Sequence, residues 1–233
     1  RSVRLRAWQK AALELFLTSD RPDFLAVATP GAGKTTFALT AARHHLATDP
    51  AARVVVVVPT QHLKAQWAGA ALGFDLHLEP EWAASNGRLP GDMHGIVTTY
   101  QQVAVNATTL NQLARGSFVI FDEVHHAGDD RAWGDGVRTA FLHSGRRLAL
   151  SGTPFRSDTQ SIPFVNYQDD EAVPDYEYGY GHALADGGVV RPVHFPRISG
   201  HMEWVAPDGT FNSASKSIAG CMYLRSELLP MMT

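Results

Sequence analysis

Cysteine is almost absent from this 233-residue chain: Cys221 is the only one. No internal disulfide can form, so a reducing cytoplasm is the expected compartment. No apolar run is long enough to span a bilayer and no signal peptide opens the chain, so no membrane partner is expected. An excess of one charge is also missing. With a formal net charge of -3, the overall field does not draw nucleic acid, and any contact with it must come from a local patch. There is no internal repeat and no low-complexity tract. What remains is ordinary globular material, 45% hydrophobic and 18% charged, enough for one large domain or for one domain and part of a second. The chain opens on Arg1 rather than Met, which suggests a piece of a longer protein.

Short apolar runs alternate with helical stretches. Strands are predicted at Phe24–Ala28, Val54–Val58, Gly95–Thr99, Phe118–Phe121 and Leu148–Ser151. Five consecutive valines suit a strand buried on both faces, as parallel sheets require. Helices are predicted from about Lys34 to Ala47, over Thr60–Leu72, near Thr109–Arg115 and near Trp133–His143. This alternation predicts an α/β fold, a mostly parallel sheet between helices, with its site at the carboxyl ends of the strands. Beyond about Ser157 the texture changes. Gln160–Tyr180 is acidic and aromatic without a clear period, Val189–Phe195 reads as a strand and Ser213–Leu229 as a helix.

The segment Ala28-Thr-Pro-Gly-Ala-Gly-Lys-Thr35 follows the first strand and opens the first of these helices. It fits the phosphate-binding loop pattern, with Ala28 where the strict motif has glycine. Small residues let successive backbone N–H groups curl around phosphate oxygens above a helix N-terminus. Gly31 and Gly33 provide that freedom, Pro30, Ala32 and Thr36 complete the turn, Lys34 brings a point charge and Thr35 a hydroxyl for Mg²⁺. Such a loop needs a partner strand that ends in acid. Phe118-Val-Ile-Phe-Asp-Glu123 supplies it: Asp122 to hold Mg²⁺ together with Thr35, Glu123 to position the attacking water. A zinc site on Asp122, His125 and His126 is the rival reading. Adjacent histidines rarely converge on one ion, and no cysteine is near.

DEVH at 122–125 and TPGAGKT together resemble the nucleotide motifs of superfamily-2 helicases and translocases, the DEAD/DEAH-box group in its broad sense. Further segments fall in the family's order over Leu5 to Asp158. Leu5-Arg-Ala-Trp-Gln9 resembles the upstream element that reads adenine, which implies Gln9 and Arg6 as base contacts. Val58–Trp67 resembles motif Ia, with Thr60 as a nucleic-acid contact, and Ile96–Gln101 resembles motif Ib, with Thr98, Thr99 and Tyr100. Ser151–Arg156 resembles motif III, so Ser151, Thr153, Arg156 and His125 are implied to couple the two sites. The resemblance implies a RecA-like P-loop NTPase domain using ATP and Mg²⁺ on a nucleic-acid partner. DEVHH and SGTPFR look closer to DNA-directed repair, annealing and restriction motors than to RNA helicases.

For the threonines, ordinary helix capping is the competing role. Trp67, Trp82, Trp133 and Trp204 read as core residues in preference to base-stacking ones. The acidic run Asp169–Asp175 reads as a solvated loop. No Q-x-x-G-R-x-x-R segment, the family's arginine-finger element, follows Asp158. The expected organisation is therefore a RecA-like domain over 1–212 and a helical segment over 213–233 leading to a second RecA-like domain. Without that arginine, an isolated first domain would turn over slowly, since such fingers supply about 10³–10⁵ in rate. A motor of an ATP-dependent restriction system, or a nucleotide-gated DNA-binding module with little turnover, would share this chemistry.

Overall fold

Five buried valines set the layout. Val54–Val58 form a strand with no exposed side chain. Val54, Val56 and Val58 pack into one apolar cluster and Val55 and Val57 into another, on the opposite face. A strand alternates its side chains between faces, so this one requires cover on both. The structure is a computed structural model. It describes residues 3–86, 89, 91–128, 130–153, 155, 161–190, 198–205 and 211–218, with the backbone alone for 86 and for the last two segments.

The chain divides into two units, Arg1–Val190 and Arg191–Thr233. In the first, the strands are β1 (Asp23–Ala28), β2 (Val54–Val58), β3 (Leu78–Glu79), β4 (Gly95–Thr99), β5 (Phe118–Phe121) and β6 (Arg146–Ser151). After them come a two-residue antiparallel pair, β7 (Tyr167–Gln168) and β8 (Glu171–Ala172), and then β9 (Tyr176–Tyr178). The main sheet has the order β3-β4-β2-β5-β6-β1-β9, and every neighbouring pair in it is parallel. All its carboxyl ends therefore open on one side.

Helices α1 (Ala7–Thr18), α2 (Lys34–Thr48) and α3 (Gln61–Leu72) contribute to the cluster holding Val54, Val56 and Val58. Helices α4 (Tyr100–Leu113) and α5 (Arg131–Phe141) contribute to the cluster on the other face. A short α6 (Tyr180–Ala185) follows β9. The α/β sandwich expected from the sequence is what forms. Among the described residues, no helix is long and apolar enough to cross a membrane.

Several elements depart from expectation. Helix α4 starts at Tyr100 rather than near Thr109, because Thr99 caps it: Thr99 Oγ1 accepts from Gln102 N at 3.1 Å, and Gln102 Oε1 accepts from Thr99 N at 3.1 Å. This reciprocal box satisfies two amides that would otherwise lack partners. Helix α1 had no counterpart in the sequence reading. Its carboxyl end is held from β6 by the Arg146 guanidinium, which donates to the carbonyls of Phe16 and Ser19 and lies 3.9 Å over the Phe16 ring.

The acidic run is not simply a solvated loop. Asp169 and Asp170, both at positive φ, make the turn of the β7–β8 hairpin, the conformation that suits a two-residue connection. Asp175 Oδ2 accepts from Leu25 N at 2.7 Å, and its Oδ1 meets Arg21 Nη1 at 2.9 Å.

In the second unit, β10 (Ile198–Val205) and β11 (Phe211–Ile218) pair antiparallel. Residues 213–218 are thus strand where a helix was expected, because pairing with β10 overrides local helix preference. The rest of that expected helix, and the expected strand at Val189–Phe195 beyond Val190, lie outside the described residues. The division of the chain falls after Val190 rather than at residue 212.

Candidate active site

The turn between β1 and α2 is built from glycines with left-handed backbone, Gly31 (φ +77) and Gly33 (φ +92). At Gly33 there are two reasons for glycine. The dihedral disfavours any side chain, and a Cβ there would come 2.7 Å from Gln9 Nε2. Gly33 caps α2 without a side chain, so no side-chain cap competes for the first-turn amides, and that end of the helix carries partial positive charge. Lys34 begins the helix, and Thr35 and Thr36, both partly buried, follow in its first turn.

Helix α1 holds this loop from behind with three donors. Arg6 Nη1 donates to the carbonyls of Gly31 and Ala32, each at 3.3 Å, Trp8 Nε1 to Ala32 O at 3.1 Å, and Gln9 Nε2 to Gly33 O at 2.9 Å. Gln9 Oε1 in turn accepts from Arg6 N at 2.8 Å. Arg6 and Gln9, expected to face a base, thus serve the loop itself. Trp8 was not singled out in the sequence. Its ring stacks on Tyr178 of β9, with centroids 5.3 Å apart and planes at 14°.

The paired acids lie at the same end of the sheet. Lys34 Nζ is 3.2 Å from Glu123 Oε1 and donates to Ala28 O at 3.1 Å. The loop and the acidic strand end therefore converge, as the motif pairing required. Glu123 has φ +44, a left-handed conformation that costs an L-residue roughly 1–2 kcal/mol and is often found where function demands it. Its turn sends the two carboxylates apart. Glu123 faces Lys34, while Asp122 Oδ2 accepts from Trp67 Nε1 of α3 at 2.8 Å. Burial pushes the Asp122 carboxyl above its ordinary 3.8. The Trp67 hydrogen bond pulls it down, Glu123 pushes it up and Lys34 pulls it down again. Burial prevails.

Strand β6 ends between the two. Gly152 N donates to Glu123 Oε2 at 2.9 Å, and a Cβ on Gly152 would sit 3.3 Å from Lys34 Nζ. His125 Nδ1 lies 3.3 Å from Ser151 Oγ and 3.6 Å from Glu123 Oε2, and Ser151 Oγ donates to Thr153 O at 2.8 Å. Three of the four expected coupling residues, His125, Ser151 and Thr153, are thereby brought to Glu123; Arg156 lies outside the described residues. His126 packs its ring on His125 with centroids 4.5 Å apart, side by side rather than aimed at one point.

The expected nucleic-acid contacts divide. Thr60 is exposed at the N-cap of α3, with no side-chain capping bond. Thr98, Thr99 and Tyr100 are corrected: they are buried, and such side chains offer no surface to a phosphodiester. Thr98 Oγ1 donates to Gln102 Oε1 at 3.2 Å, Thr99 caps α4, and the Tyr100 hydroxyl donates to the Asp122 carbonyl at 2.9 Å. Trp67 and Trp82 are core residues, and Trp133 is partly buried against Tyr100; the side chain of Trp204 lies outside the described set.

The donor set fits a magnesium nucleotide: uncapped amides, one lysine, a hydroxyl at Thr35 and two carboxylates on one rim. Comparison with known proteins gives the family and the fold. Residues 2–156 match the family model described as "Type III restriction enzyme, res subunit". An uncharacterized protein of Mycobacterium tuberculosis is 51% identical over 207 residues, which is 86% of this chain and 34% of that protein. The chain thus spans about a third of the length of the curated relatives it matches.

Among solved structures, a nuclease-deletion mutant of the Type ISP restriction-modification enzyme LlaGI, in complex with a DNA substrate mimic, is similar over 79% of this chain and 21% of its own. The TM-score is 0.60 at 18% identity. The Sulfolobus solfataricus SWI2/SNF2 ATPase core, in complex with dsDNA, is similar over 65% of this chain and 32% of its own, with a TM-score of 0.54 at 20% identity. The chain belongs to the type III restriction enzyme res-subunit family, and the solved structures give its first unit a RecA-like α/β fold.

Proposed function

We propose that this domain binds and hydrolyses Mg·ATP and couples that cycle to sequence-independent binding of, and movement along, DNA. The observation that carries the reading is the 3.2 Å approach of Lys34 to Glu123, with Asp122 beside it at the end of β5. In this reading the backbone of Pro30 to Gly33 cradles the phosphates, and Lys34 binds the β- and γ-phosphates. Magnesium, held by Thr35 and Asp122, would neutralise charge that builds on the phosphates during transfer. Glu123 exchanges Lys34 for a water and positions it for attack. His125, Ser151, Thr153 and Arg156 relay the state of the site. Arg6, which is exposed, reads adenine alongside its hold on the loop, and the buried Gln9 supports it there by accepting from the Arg6 amide, its own reach to the base requiring that it turn outward.

Thr60, at an exposed helix N-terminus, is the contact for a DNA phosphate. DNA rather than RNA is supported by the DEVHH and SGTPFR variants. The arginine that completes the site comes from a second RecA-like domain of the full-length protein. The test is ATPase activity of full-length protein with and without single-stranded DNA, beside Glu123→Gln. DNA-stimulated turnover that survives the substitution would remove Glu123 from its role. The family match favours one narrower version, a motor subunit of an ATP-dependent restriction system. That version requires a nuclease and a methyltransferase in the same protein or assembly.

A further inference from the structure

Asp122 is gripped from both faces of the sheet. Its side chain is held by Trp67, which is 3% exposed and belongs to the cluster that α1, α2 and α3 cover. Its carbonyl is held by the hydroxyl of Tyr100, which has no exposed surface and belongs to the opposite cluster. Its amide donates to Val57 O of β2 at 2.8 Å. Trp67 stands in the second turn of α3, whose N-cap is Thr60, and Tyr100 is the first residue of α4, whose N-cap is Thr99. The two helices that start at the motif Ia and motif Ib positions thus each end one hydrogen bond from the same aspartate. Glu123 has none of these partners; its carboxylate meets Lys34, Gly152 and His125 instead.

A buried indole does not enforce such a bond by burial alone. Trp82 keeps its Nε1 buried with no partner among the described residues. The Trp67 N–H, by contrast, is spent on Oδ2 of the carboxylate that the proposed function needs for its metal.

We propose that Trp67 and Tyr100 are positioning residues for Asp122, and that Trp67 links it through α3 to the DNA contact at Thr60, a route separate from the one that Glu123 takes through β6, while Tyr100 of α4 holds the aspartate's backbone. This rests on the function proposed above. Displacement of α3 by DNA then reorients Asp122 against the fixed Tyr100 bond, and occupancy at Asp122 biases α3 in return, since coupling between two sites is reciprocal.

The experiment measures, for full-length protein, the affinity for a fluorescent DNA oligonucleotide with and without a saturating non-hydrolysable ATP analogue and magnesium. The wild type is expected to show coupling of about 5–150-fold. Trp67→Phe is expected to bring that factor close to one, and Tyr100→Phe to lower it, while DNA affinity without nucleotide stays within about twofold of wild type. In Asp122→Asn, adding Trp67→Phe is expected to change the coupling no further, a non-additivity that a merely structural role would not produce. Circular-dichroism melts check folding. Should Trp67→Phe fail to fold, Tyr100→Phe, which removes one hydroxyl, decides alone. Wild-type coupling in a folded variant overturns the inference and leaves the nucleotide site standing. Analogue binding that does not alter wild-type DNA affinity has the same effect. A wild type that binds no analogue overturns the function itself.

Discussion

The indole N–H of Trp8 donates to the carbonyl of Ala32 at 3.1 Å, while the same ring stacks on Tyr178. One side chain therefore ties the phosphate loop to the edge strand of the sheet. Trp8→Phe keeps an aromatic ring on Tyr178 and leaves the Ala32 carbonyl with the longer Arg6 bond alone. The expected cost is about 1 kcal/mol of stability, with nucleotide affinity lowered about fivefold if the loop loosens by the same amount. Calorimetric titration with ADP, beside a melt, checks both. A variant that melts earlier yet binds ADP normally would show that the brace does not reach the loop.

Gly33→Ala has a more severe expectation, because two costs coincide. The left-handed backbone costs roughly 1–2 kcal/mol for any L-residue, and the new Cβ meets the Gln9 amide at 2.7 Å. The Gln9 amide is the far end of a flexible side chain, but its bonds to Gly33 O and Arg6 N hold it in place. The urea midpoint of Gly33→Ala should therefore fall by at least the equivalent of the roughly 1–2 kcal/mol dihedral cost. A midpoint equal to that of the wild type would mean that the turn does not require glycine.

Asp122→Asn should stabilise the nucleotide-free protein at neutral pH while weakening its hold on magnesium nucleotide. Burial raises the folded-state pKa of this carboxyl above 3.8, so folding favours its protonated form. The ionised form opposes folding, a penalty absent below the unfolded value and present once pH exceeds the folded one. Asparagine keeps an acceptor for Trp67 and carries no charge. Its advantage in melting temperature should be largest at neutral pH and shrink towards about pH 4. A variant less stable than wild type at neutral pH would contradict the sign.

Arg147 offers a prediction away from the site. Its guanidinium pairs with Asp23, donates to Phe141 O at 2.9 Å and lies 4.2 Å over the Phe164 ring. Arg147→Met leaves the partly buried Asp23 carboxylate without its partner, at a cost of about 1–3 kcal/mol. Asp23→Asn on top should recover part of the loss. Nucleotide affinity should stay at the wild-type value in both, and a double variant as unstable as the single one would show that the ion pair carries little of the cost.

The central strands were legible because each announces itself locally: FLAVA, VVVVV, GIVTT, FVIF and LALS are apolar, β-rich and bounded by turns. The loop and acidic strand end were legible because their chemistry fixes both residue type and spacing. What was missed depends on partners distant in sequence. β9 is only Tyr-Glu-Tyr, and it becomes a strand by pairing with Ala26–Ala28. Residues 213–218 take their form from β10. The start of α4 is written in the sequence, since Thr99 and Gln102 are spaced as a capping box, but a threonine before a helix suits a phosphate contact equally well. Trp67 reads as core, which it is, but sequence alone does not tell where an indole N–H points.

The strand order places β6 between β1 and β5. The lysine turn and the acidic turn are therefore two strand spacings apart, about 9.6 Å, a distance set by backbone hydrogen bonding rather than by any side chain. The sheet works as a fixed caliper. The side chains of Lys34 and Glu123 close that span to 3.2 Å, while the width between the two backbones would persist through almost any change of the residues that line it.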